Sequence, residues 1–522
     1  MSVLGLGIDA STQSLTLLVL DASSAEIVAR SSVRFDDDLP GWGTLGGQLP
    51  NQDERIGEAP PLLWIEALDL ALRKLSANVD LSLVRAVAVA GQQHGSVYLN
   101  GSAERTLGTL TPTLPASQQL RSALARPVAP LWTDSRTSVE CGEIRGHLGG
   151  ATSAAKLTGS DLYERFTGPQ IRWFARNEPE AWTDTSHVAL VSSFLTGVLA
   201  GRLAPLDWGD AAGTNLMNVR RRAWSSTAIE ATVADLERRL PDLEPPAHCA
   251  GSLSPYFCER FGLPAGCRVG IGVGDNPAAA LGAGLREPGQ ALLSLGTSDT
   301  VSVLGRDLPA VEHGHLFVAP SGHDLALLCF RNGSLAREAV RDRFGLDWAG
   351  FDETVLGTPP GCEGHHLLPW FEPEIVPRTV GQGAVHSPGF PTEDAGTYCR
   401  ALLEGQAMAI ERHLSPLGRL TELRAVGGGS QSRALLQVVA DVLDCPVQPH
   451  STPDGAGLGA ALQALRFVLS RDAWEELADS ATAVTAPRIN PRQAEVYVAL
   501  KEASRRLASE ALASRSAIAE AS

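Results

Sequence analysis

The sequence predicts an α/β protein built from two large domains, and three observations support this fold class. A chain of 522 residues is too long for one hydrophobic core. One pattern, an apolar run, a polar turn and a second apolar run, occurs twice, at residues 3–20 and 291–304. Segments with strand and helix patterns also alternate in β–α–β order, which is typical of a central mixed sheet with helices on its faces.

The first domain is predicted to span residues 1–280. Its opening pattern indicates two adjacent strands, and a third strand is expected over residues 25–34, followed by a Gly- and Pro-rich loop over residues 36–60. From Pro61 the apolar residues recur at helical spacing, and a buried strand, VRAVAVAGQ, comes next. The last elements are the buried strand RVGIGVGDN and a helix with Pro277 at its first position.

The second domain is predicted over residues 287–470 and begins with the second copy of the repeat. A helix is expected at residues 398–414, a strand, turn and helix at 422–441, and a helix of small residues at 455–468. Residues 355–390 are rich in Pro and Gly and are expected to be irregular. Residues 471–522 are predicted to form a helical C-terminal tail.

The composition restricts the classes of partner. The formal net charge of −16 disfavours nucleic acid and anionic membrane surfaces, although a local site of amides and a metal still suits an anionic nucleotide. No apolar run reaches about 18 residues, so no transmembrane helix is predicted, and the N-terminus lacks the pattern of a cleaved leader. The eight cysteines have no CxxC spacing, which favours reduced thiols in a cytoplasmic protein.

The two polar turns of the repeat are candidates for phosphate binding. Residues 11–14 align with residues 297–300, and each turn concentrates backbone N–H groups and hydroxyls in a small space, which makes a cradle for phosphate oxygens. The residues that the two cradles would use are Ser11, Thr12, Gln13, Thr297 and Ser298. Two such cradles predict two similar domains that bind one polyphosphate.

The two copies differ at the end of their first strand, because Asp9 occupies the position that Leu295 has in the second copy. A carboxylate beside a phosphate cradle repels the ligand unless a cation lies between them, so one interpretation of Asp9 is a Mg²⁺–nucleotide site. The alternative is an aspartate that only caps its turn, which is a common role for this residue type.

Three further polar segments follow predicted strands, where the ligands of open α/β sheets collect. Asp275 in GDNP could accept a proton from a substrate hydroxyl, or it and Asn276 could simply cap the next helix. His94 lies in GQQHGS, a cluster that suits a polyhydroxylated ligand or a plain surface turn. The glycines around Gly428 permit close approach of a ligand or form only a tight connection.

Two charged residues have alternative roles, and two glycine patterns do not match known nucleotide-binding motifs. Arg165 in YERFTG is either a clamp for a hydroxylated ligand or an ordinary interhelical arginine, and Asp134 in LWTDSR is either a turn cap or a ligand contact. The glycine turn at residues 427–429 does not match the Walker pattern GxxxxGK[ST]. GLGIDA is followed by a strand and not by a helix, so a dinucleotide-binding motif is excluded.

The motifs in chain order are GIDASTQS, GQQHGSVY, LWTDSR, YERFTG, GDNPA, SLGTSDT and GGGSQSR. This series resembles the FGGY carbohydrate kinases, and within that family it is most similar to the xylulose kinases of the animal type. The resemblance extends from residue 3 to about residue 470. It implies two domains of the actin and hexokinase (ribonuclease H-like) fold, an N-terminal sugar-binding domain and a C-terminal nucleotide-binding domain, with a catalytic cleft between them.

The resemblance also implies roles for individual residues. Asp275 corresponds to the general base that takes the proton from the terminal hydroxyl of a ketopentose, and Asp9 to a residue that helps to hold Mg²⁺ and the γ-phosphate of ATP. The implied sugar-binding residues are His94, Arg165, Asp275 and Asn276, and the implied nucleotide-binding residues are Thr297, Ser298, Trp348, Gly428 and Ser432. At position 432 the animal-type enzymes carry Asn, so the shorter Ser432 is expected to loosen the adenine contact.

The activity implied by the resemblance is ATP-dependent phosphorylation of D-xylulose to D-xylulose 5-phosphate, with closure of the two domains on the substrates. A kinase for another pentulose or polyol, such as ribulose or glycerol, would keep every phosphate motif. A non-catalytic sugar-sensing protein and an actin-like filament protein are alternatives of other classes, and the intact Asp9 and Asp275 argue against the former. The expected partners are a small-molecule sugar and ATP, and the choice between monomer and homodimer stays open.

Overall fold

The computed structural model describes residues 3–379, 383–450 and 454–521. The chain forms two compact units. The first comprises Met1–Gly284, Leu316–Asp324 and Pro453–Ala483, and the second comprises Leu285–His315, Leu325–Thr452 and Val484–Ser522. Two segments of the first unit fall outside the predicted first domain: Leu316–Asp324 lies in the range predicted for the second domain, and Pro453–Ala483 lies in the ranges predicted for the second domain and the tail.

The strands of both units are, in chain order, β1 Leu4–Ala10, β2 Ser14–Asp21, β3 Glu26–Arg34, β4 Glu58–Ala59, β5 Val84–Gly91, β6 Ser96–Asn100, β7 Ala129–Pro130, β8 Thr185–Leu190, β9 Leu206–Asp207, β10 Met217–Asn218, β11 Ala223–Trp224, β12 Leu243–Glu244, β13 Cys249–Ser252, β14 Arg268–Gly270, β15 Val273–Gly274, β16 Gln290–Leu295, β17 Asp299–Gly305, β18 His315–Val318, β19 Asp324–Phe330, β20 Leu367–Leu368, β21 Val385–His386, β22 Glu422–Val426 and β23 Val447–Pro449.

The helices are α1 Phe35–Asp38, α2 Pro61–Ser76, α3 Ala103–Gly108, α4 Ala116–Gln119, α5 Ser138–His147, α6 Ala151–Thr158, α7 Thr167–Asn177, α8 Pro179–Asp184, α9 Val191–Ala200, α10 Trp208–Ala212, α11 Ser226–Thr232, α12 Pro255–Phe261, α13 Asp275–Gly282, α14 Ser334–Arg343, α15 Trp348–Gly357, α16 Ala395–Leu414, α17 Arg433–Leu443, α18 Gly455–Leu465, α19 Arg471–Ala481 and α20 Tyr497–Ala521. Helix α13 begins two residues earlier than predicted, so Pro277 lies within its first turn.

Each unit has a mixed central sheet, as predicted. The sheet of the first unit has the order β13-β14-β5-β1-β2-β3, with β15 also paired to β5, and the second sheet has the order β18-β19-β17-β16-β22-β23. The repeat has the same local topology in both copies. β1 pairs antiparallel with β2 and parallel with β5, and β16 pairs antiparallel with β17 and parallel with β22.

Helix α18 packs directly on the first sheet, which is why it belongs to the first unit. A Cβ on Gly7 of β1 would overlap the carbonyl oxygen of Gly457, and a Cβ on Gly459 would overlap the carbonyl oxygen of Ala278 in helix α13. The small residues of α18 therefore allow the backbones of a strand and two helices to approach closely. The sequence indicates this helix by its composition, but its partner is set by tertiary packing.

Two further predictions concern the chain as a whole. The eight cysteines are all free in the described part of the chain. None of the helices within the described ranges combines the length and the apolar character needed to cross a membrane.

Candidate active site

The C-terminal ends of three parallel strands form an acidic edge in the first unit. β1 and β15 both pair in parallel with β5, and Ala10 and Gly274 both lie opposite Gly91 at the ends of their strands. Asp9 is the next-to-last residue of β1, and Asp275 follows β15 as the first residue of helix α13. Open α/β sheets bind their ligands at this kind of edge.

The carboxyl group of Asp9 lies in an environment that disfavours its charge. The pKa of Asp9 is raised from 3.8 to about 7, first because the group is buried and then because the charges of Asp275 and Asp454 are close. Asp454 forms an ion pair with Arg30, with 2.8 Å between Oδ1 and Nη2. Carboxylates so arranged favour either a proton or a cation between them. Asp454, which directly precedes helix α18, was not identified from the sequence.

Asp275 is held by its neighbour in the helix. The backbone N–H of Asn276 donates to Oδ1 of Asp275 at 2.8 Å, and Nδ2 of Asn276 donates to the same oxygen at 3.1 Å. Burial raises the pKa of Asp275 from 3.8 to about 6, against the lowering effect of these hydrogen bonds. A carboxyl group with this pKa is ionised at neutral pH and has the basicity of a good proton acceptor.

Two buried side chains extend this arrangement: Gln93, from the polar cluster GQQHGS, and Asp210, which the sequence did not single out. Nδ2 of Asn276 also donates to Oε1 of Gln93 at 2.9 Å. Nε2 of Gln93 and Oδ1 of Asp210 both approach Gly274, because a Cβ placed there would lie 2.9 Å from the first atom and 3.0 Å from the second. The other carboxylate oxygen of Asp210 accepts a hydrogen bond from the hydroxyl of Ser192. A chain of amides therefore leads from Asp275 towards a second buried carboxyl group.

His94 lies in the turn after β5 and is buried. Its Nδ1 is 2.8 Å from the carbonyl oxygen of Gly213, so Nδ1 carries the proton and Nε2 has a free lone pair. Burial lowers the pKa of His94 from 6.5 to about 3, and the charge of Arg165 lowers it as well. The ring stacks on Phe166 with centroids 4.2 Å apart. A neutral imidazole in this tautomer accepts a hydrogen bond from a ligand hydroxyl.

The backbone of His94 is in the left-handed region, with φ of 72°. Residues other than glycine adopt this conformation at a cost, and such strain concentrates at functional sites. Arg165 lies near the same ring system, with its guanidinium carbon 5.8 Å from the centroid of Phe166 and 5.2 Å from that of Tyr163. His94 and Arg165, two of the predicted sugar-binding residues, are therefore brought together by Phe166.

The first polar turn is closed by its own side chains. The N–H and the hydroxyl of Ser11 both donate to the carbonyl oxygen of Ser14, each at 3.0 Å. The hydroxyl of Thr12 accepts from Nε1 of Trp132 at 2.8 Å and donates to Oε1 of Gln92 at 3.3 Å. No acceptor within the described ranges takes the N–H groups of Thr12 and Gln13, so both remain available to an anion.

The second unit contains a cavity of about 560 Å³. Four of the predicted nucleotide-binding residues line it, namely Thr297, Trp348, Gly428 and Ser432, whereas Ser298 of the same turn does not. The side chain of Trp348 is 46% exposed at the rim, and the cavity has the size of a pocket for a nucleotide base and ribose. The structure therefore collects residues that are far apart in sequence around one cavity.

Ser432 has a structural task in this cavity. It is the N-cap of helix α17, and its hydroxyl accepts from the N–H of Leu435 at 3.0 Å. The same hydroxyl donates to Oδ1 of Asp352 at 2.7 Å. Asp352, which also lines the cavity, was not identified from the sequence, because no local motif marks it.

The second polar turn carries a charge pair that the repeat alone did not indicate. Asp299 aligns with Gln13 of the first turn, but its carboxylate is buried and makes two hydrogen bonds with Arg337, at 2.8 and 2.9 Å. Nη1 of Arg337 also donates to Oε1 of Gln406 at 3.1 Å. Burial raises the pKa of Asp299 although Arg337 lowers it. Asp299 therefore anchors the turn to helix α14 and does not face a ligand cation.

The acidic edge offers a metal ion few ligands from the protein itself. Within the described ranges, no group of three His, Cys, Asp or Glu side chains is arranged to hold a metal by itself. Mg²⁺ usually keeps several waters and binds one or two carboxylates together with substrate phosphates. Asp9, with a carboxyl group destabilised by two other acids, fits that kind of shared site and not an all-protein cage.

Comparisons with known proteins agree with the architecture and the motifs. The model of the N-terminal domain of the FGGY family of carbohydrate kinases matches residues 121–282, and the model of the C-terminal domain matches residues 291–467. A mouse (Mus musculus) protein named xylulose kinase is 38% identical over 509 residues, which cover 95% of this chain and 92% of the mouse protein.

Solved structures have the same fold. The structure of xylulose kinase from Rhodospirillum rubrum has a TM-score of 0.82 at 22% identity and covers 97% of this chain and 98% of its own. Gluconate kinase from Lactobacillus acidophilus has the same TM-score at 17% identity and covers 99% of this chain and 100% of its own. Kinases named for different substrates thus match equally well in fold. The two domain models and the mouse relative together show that this chain belongs to the FGGY family of carbohydrate kinases.

Proposed function

We propose that the protein transfers the γ-phosphoryl group of ATP to D-xylulose and forms D-xylulose 5-phosphate and ADP. The observation that carries this choice of substrate is the 38% identity with the mouse xylulose kinase over 95% of the chain. The fold does not select the substrate, since a gluconate kinase matches it equally well. The sugar is assigned to the acidic edge of the first unit and the nucleotide to the cavity of the second.

Asp275 is assigned the role of general base. Its Oδ1 is engaged by Asn276, so Oδ2 is the atom proposed to take the proton of the acceptor hydroxyl. As that proton moves to Asp275, the hydroxyl oxygen forms a bond to the γ-phosphorus and the bond from this phosphorus to the bridging oxygen of ADP breaks. Phosphoryl transfer needs mainly positioning and charge neutralisation, so an ordinary carboxylate suffices as base.

Asp9 is proposed to help to hold Mg²⁺ together with phosphate oxygens and water. A bound Mg²⁺ would neutralise negative charge on the transferred phosphoryl group. It would also lower the raised pKa of Asp9, because an opposite charge nearby favours the carboxylate. The N–H groups of Thr12 and Gln13 and the turn at Thr297 and Ser298 are proposed to bind phosphate oxygens.

His94 and Arg165 are proposed to bind the sugar from the side of Phe166. Since Nδ1 of His94 donates to Gly213, Nε2 is assigned as the acceptor for one sugar hydroxyl. Arg165 donates only, so it complements His94 by binding a sugar oxygen. Asn276 is assigned to a further hydroxyl through the same amide that positions Asp275.

The substrate assignment is tested by a coupled ADP-release assay with D-xylulose, D-ribulose, glycerol and D-gluconate. We expect kcat/KM to be highest for D-xylulose by at least about tenfold, since individual hydroxyl contacts carry such discrimination. A higher value for another acceptor would reassign the substrate within the family. No turnover with any acceptor would favour a non-catalytic sugar-binding protein.

A His94→Ala variant sharpens this assay. It should raise the KM for D-xylulose and leave the KM for ATP unchanged, because the proposed contact is with the sugar alone.

A cytoplasmic location, a requirement for Mg²⁺ and the absence of nucleic-acid partners are proposed with the activity. The first two are tested by fractionation and by titration of the enzyme with EDTA.

A further inference from the structure

A second cavity of the second unit lies between the start of helix α17 and residues 487–492, and has a volume of about 460 Å³. The segment is fixed in place by the sheet edge. Ile489 exchanges backbone hydrogen bonds with Val447 of strand β23 at 2.8 and 2.9 Å, and the side chain of Gln448 donates to the carbonyl of Ala486. We call this cavity the arginine groove.

Three arginines line the arginine groove: Arg433, Arg488 and Arg492. No Asp or Glu is among its lining residues. Within residues 3–379, 383–450 and 454–521, none of these three guanidinium groups forms an ion pair. Asp441 supports the segment that carries two of them, because its Oδ1 accepts from the backbone N–H groups of Arg492 and Gln493 and not from a guanidinium.

This clustering of positive charge is unusual in a chain with a formal net charge of −16. Like charges around one cavity repel each other, and the repulsion is relieved when an anion binds. Guanidinium groups bind phosphate through paired N–H donors, which gives both strength and geometry. The volume lies within the usual range of roughly 300–1,000 Å³ for small-molecule pockets, so the groove has room for a phosphate group and an organic part.

One wall of the groove lies outside the part of the chain that the family model matches. The matched C-terminal model ends at residue 467, whereas Arg488 and Arg492 lie in the tail beyond it. The groove shares Gln431 with the nucleotide cavity, because the turn Gly428–Gln431 separates the two. A ligand in the groove would therefore lie beside the nucleotide site without occupying it.

We propose that the arginine groove binds a small organic phosphate with at least two negative charges, at a site separate from the nucleotide cavity. The shared chemistry is the phosphate group, and the sources to be distinguished are a sugar phosphate and an inorganic phosphate. The proposal does not depend on D-xylulose being the substrate.

The test is calorimetric titration of the full-length protein, saturated with ADP and Mg²⁺, with three probes: D-ribose 5-phosphate, pyrophosphate and uncharged D-ribose. We expect D-ribose 5-phosphate to bind with a Kd below about 1 mM and to weaken as salt is added, while D-ribose does not bind. If pyrophosphate bound and D-ribose 5-phosphate did not, the ligand would be an inorganic phosphate, and the proposal of an organic phosphate would be overturned. Loss of binding in the presence of ADP would place the probe in the nucleotide cavity and overturn the separate site.

Two matched double variants decide whether the groove is the site. Arg488→Glu/Arg492→Glu should weaken binding of D-ribose 5-phosphate by about tenfold or more. Arg419→Glu/Arg506→Glu makes the same change of charge on the same unit, at arginines with side chains 86% and 66% exposed, and should alter the Kd by less than about threefold. Equal weakening in both would show a general charge effect and overturn the proposal. Unchanged ADP affinity in both verifies that the unit is folded.

Discussion

The two hairpin turns have the same topology but balance their charges in opposite ways. In the second unit, the acid of the turn, Asp299, is neutralised by Arg337 within hydrogen-bonding distance. In the first unit, Asp9 faces two more carboxylates, those of Asp275 and Asp454, and its pKa is raised to about 7. The acid of the second turn is neutralised within the protein, whereas the acid beside the first turn favours a bound cation.

The same backbone topology therefore carries different chemistry in the two copies of the repeat. The hydroxyls differ as well, since Thr12 is bonded to Trp132 and Gln92, whereas Thr297 is exposed and lines the cavity of its unit. The second turn is thus stabilised by an ion pair, and the hydroxyl of Thr297 is available to a ligand. The first turn is stabilised through the hydroxyl of Thr12, and the carboxylate of Asp9 beside it is available to a cation.

The largest expected effect in the first unit comes from removing the proposed base. Asp275→Ala leaves the acceptor hydroxyl without a proton acceptor, so kcat should fall by roughly 10²–10⁴-fold. Binding of ADP should persist, because the cavity of the second unit has its own lining. Steady-state kinetics and calorimetric titration with ADP measure the two effects, and retained turnover would exclude Asp275 as the base.

The pH profile of the wild-type enzyme tests the same residue. The proposed mechanism requires the ionised form of Asp275, and the pKa of this group is about 6. Activity, measured as kcat/KM for the sugar, should therefore be full above about pH 7 and should fall as the pH drops through about 6. A profile that stays flat down to pH 4.5 would contradict a base with this pKa.

Breaking the Asp299–Arg337 ion pair of the second unit should lower the stability of the fold and not act on the chemical step directly. Asp299→Ala leaves Arg337 buried and unpaired, which should lower the free energy of unfolding by about 3–5 kcal/mol. The double variant Asp299→Ala/Arg337→Met should recover most of this loss, because no uncompensated charge remains. Urea denaturation measures both.

A matched control for this variant is available in the first unit. Asp53 and Arg55 form an ion pair at 2.7 Å with side chains 38% and 68% exposed. Asp53→Ala should therefore change the free energy of unfolding by less than about 1 kcal/mol. A loss of equal size at Asp53 and Asp299 would show that burial is not what makes the second pair important.

Asp9 should show a stability effect of the opposite sign. Its folded pKa of about 7 exceeds the ordinary value of 3.8, so the folded state binds the proton more tightly than the unfolded state does. The contribution of Asp9 to the stability of the metal-free protein is therefore greatest below about pH 4 and is lost as the pH rises from about 4 to about 7. Asp9→Asn should remove this loss and raise the melting temperature at pH 8, but not at pH 4.

The same variant should impair catalysis. We expect Asp9→Asn to weaken the apparent affinity for Mg²⁺ by about 10–100-fold, as is typical when a partner of a metal shell is lost. Titration of activity with Mg²⁺ at fixed ATP measures this shift. A more stable variant with unchanged Mg²⁺ dependence would separate the electrostatic strain at Asp9 from any role in metal binding.

The sequence predicts the strands, the turns and the residues at strand ends, but it does not predict which residues from distant segments pack against them. Alternating apolar residues and polar strand ends are enough to predict both hairpins, both mixed sheets and the positions of Asp9 and Asp275 at strand ends. They do not indicate Asp454 or Asp210, because each comes from a distant segment that tertiary packing brings to the acidic edge. The ion pair of Asp299 was missed for the same reason, since Arg337 lies 38 residues away.

The smallest expected effects distinguish the hydroxyls of the two turns. Thr12→Val removes the acceptor of Trp132 Nε1 and the donor to Gln92, so the free energy of unfolding should fall by about 0.5–1.5 kcal/mol. Thr297→Val changes an exposed side chain at the rim of the cavity, so stability should change by less than about 0.5 kcal/mol, while the KM for ATP should rise. Urea denaturation and initial-rate kinetics of both variants give the comparison. If Thr12→Val raised the KM for ATP without loss of stability, the first hydroxyl would serve the ligand and not the turn, and the two turns would be functionally alike.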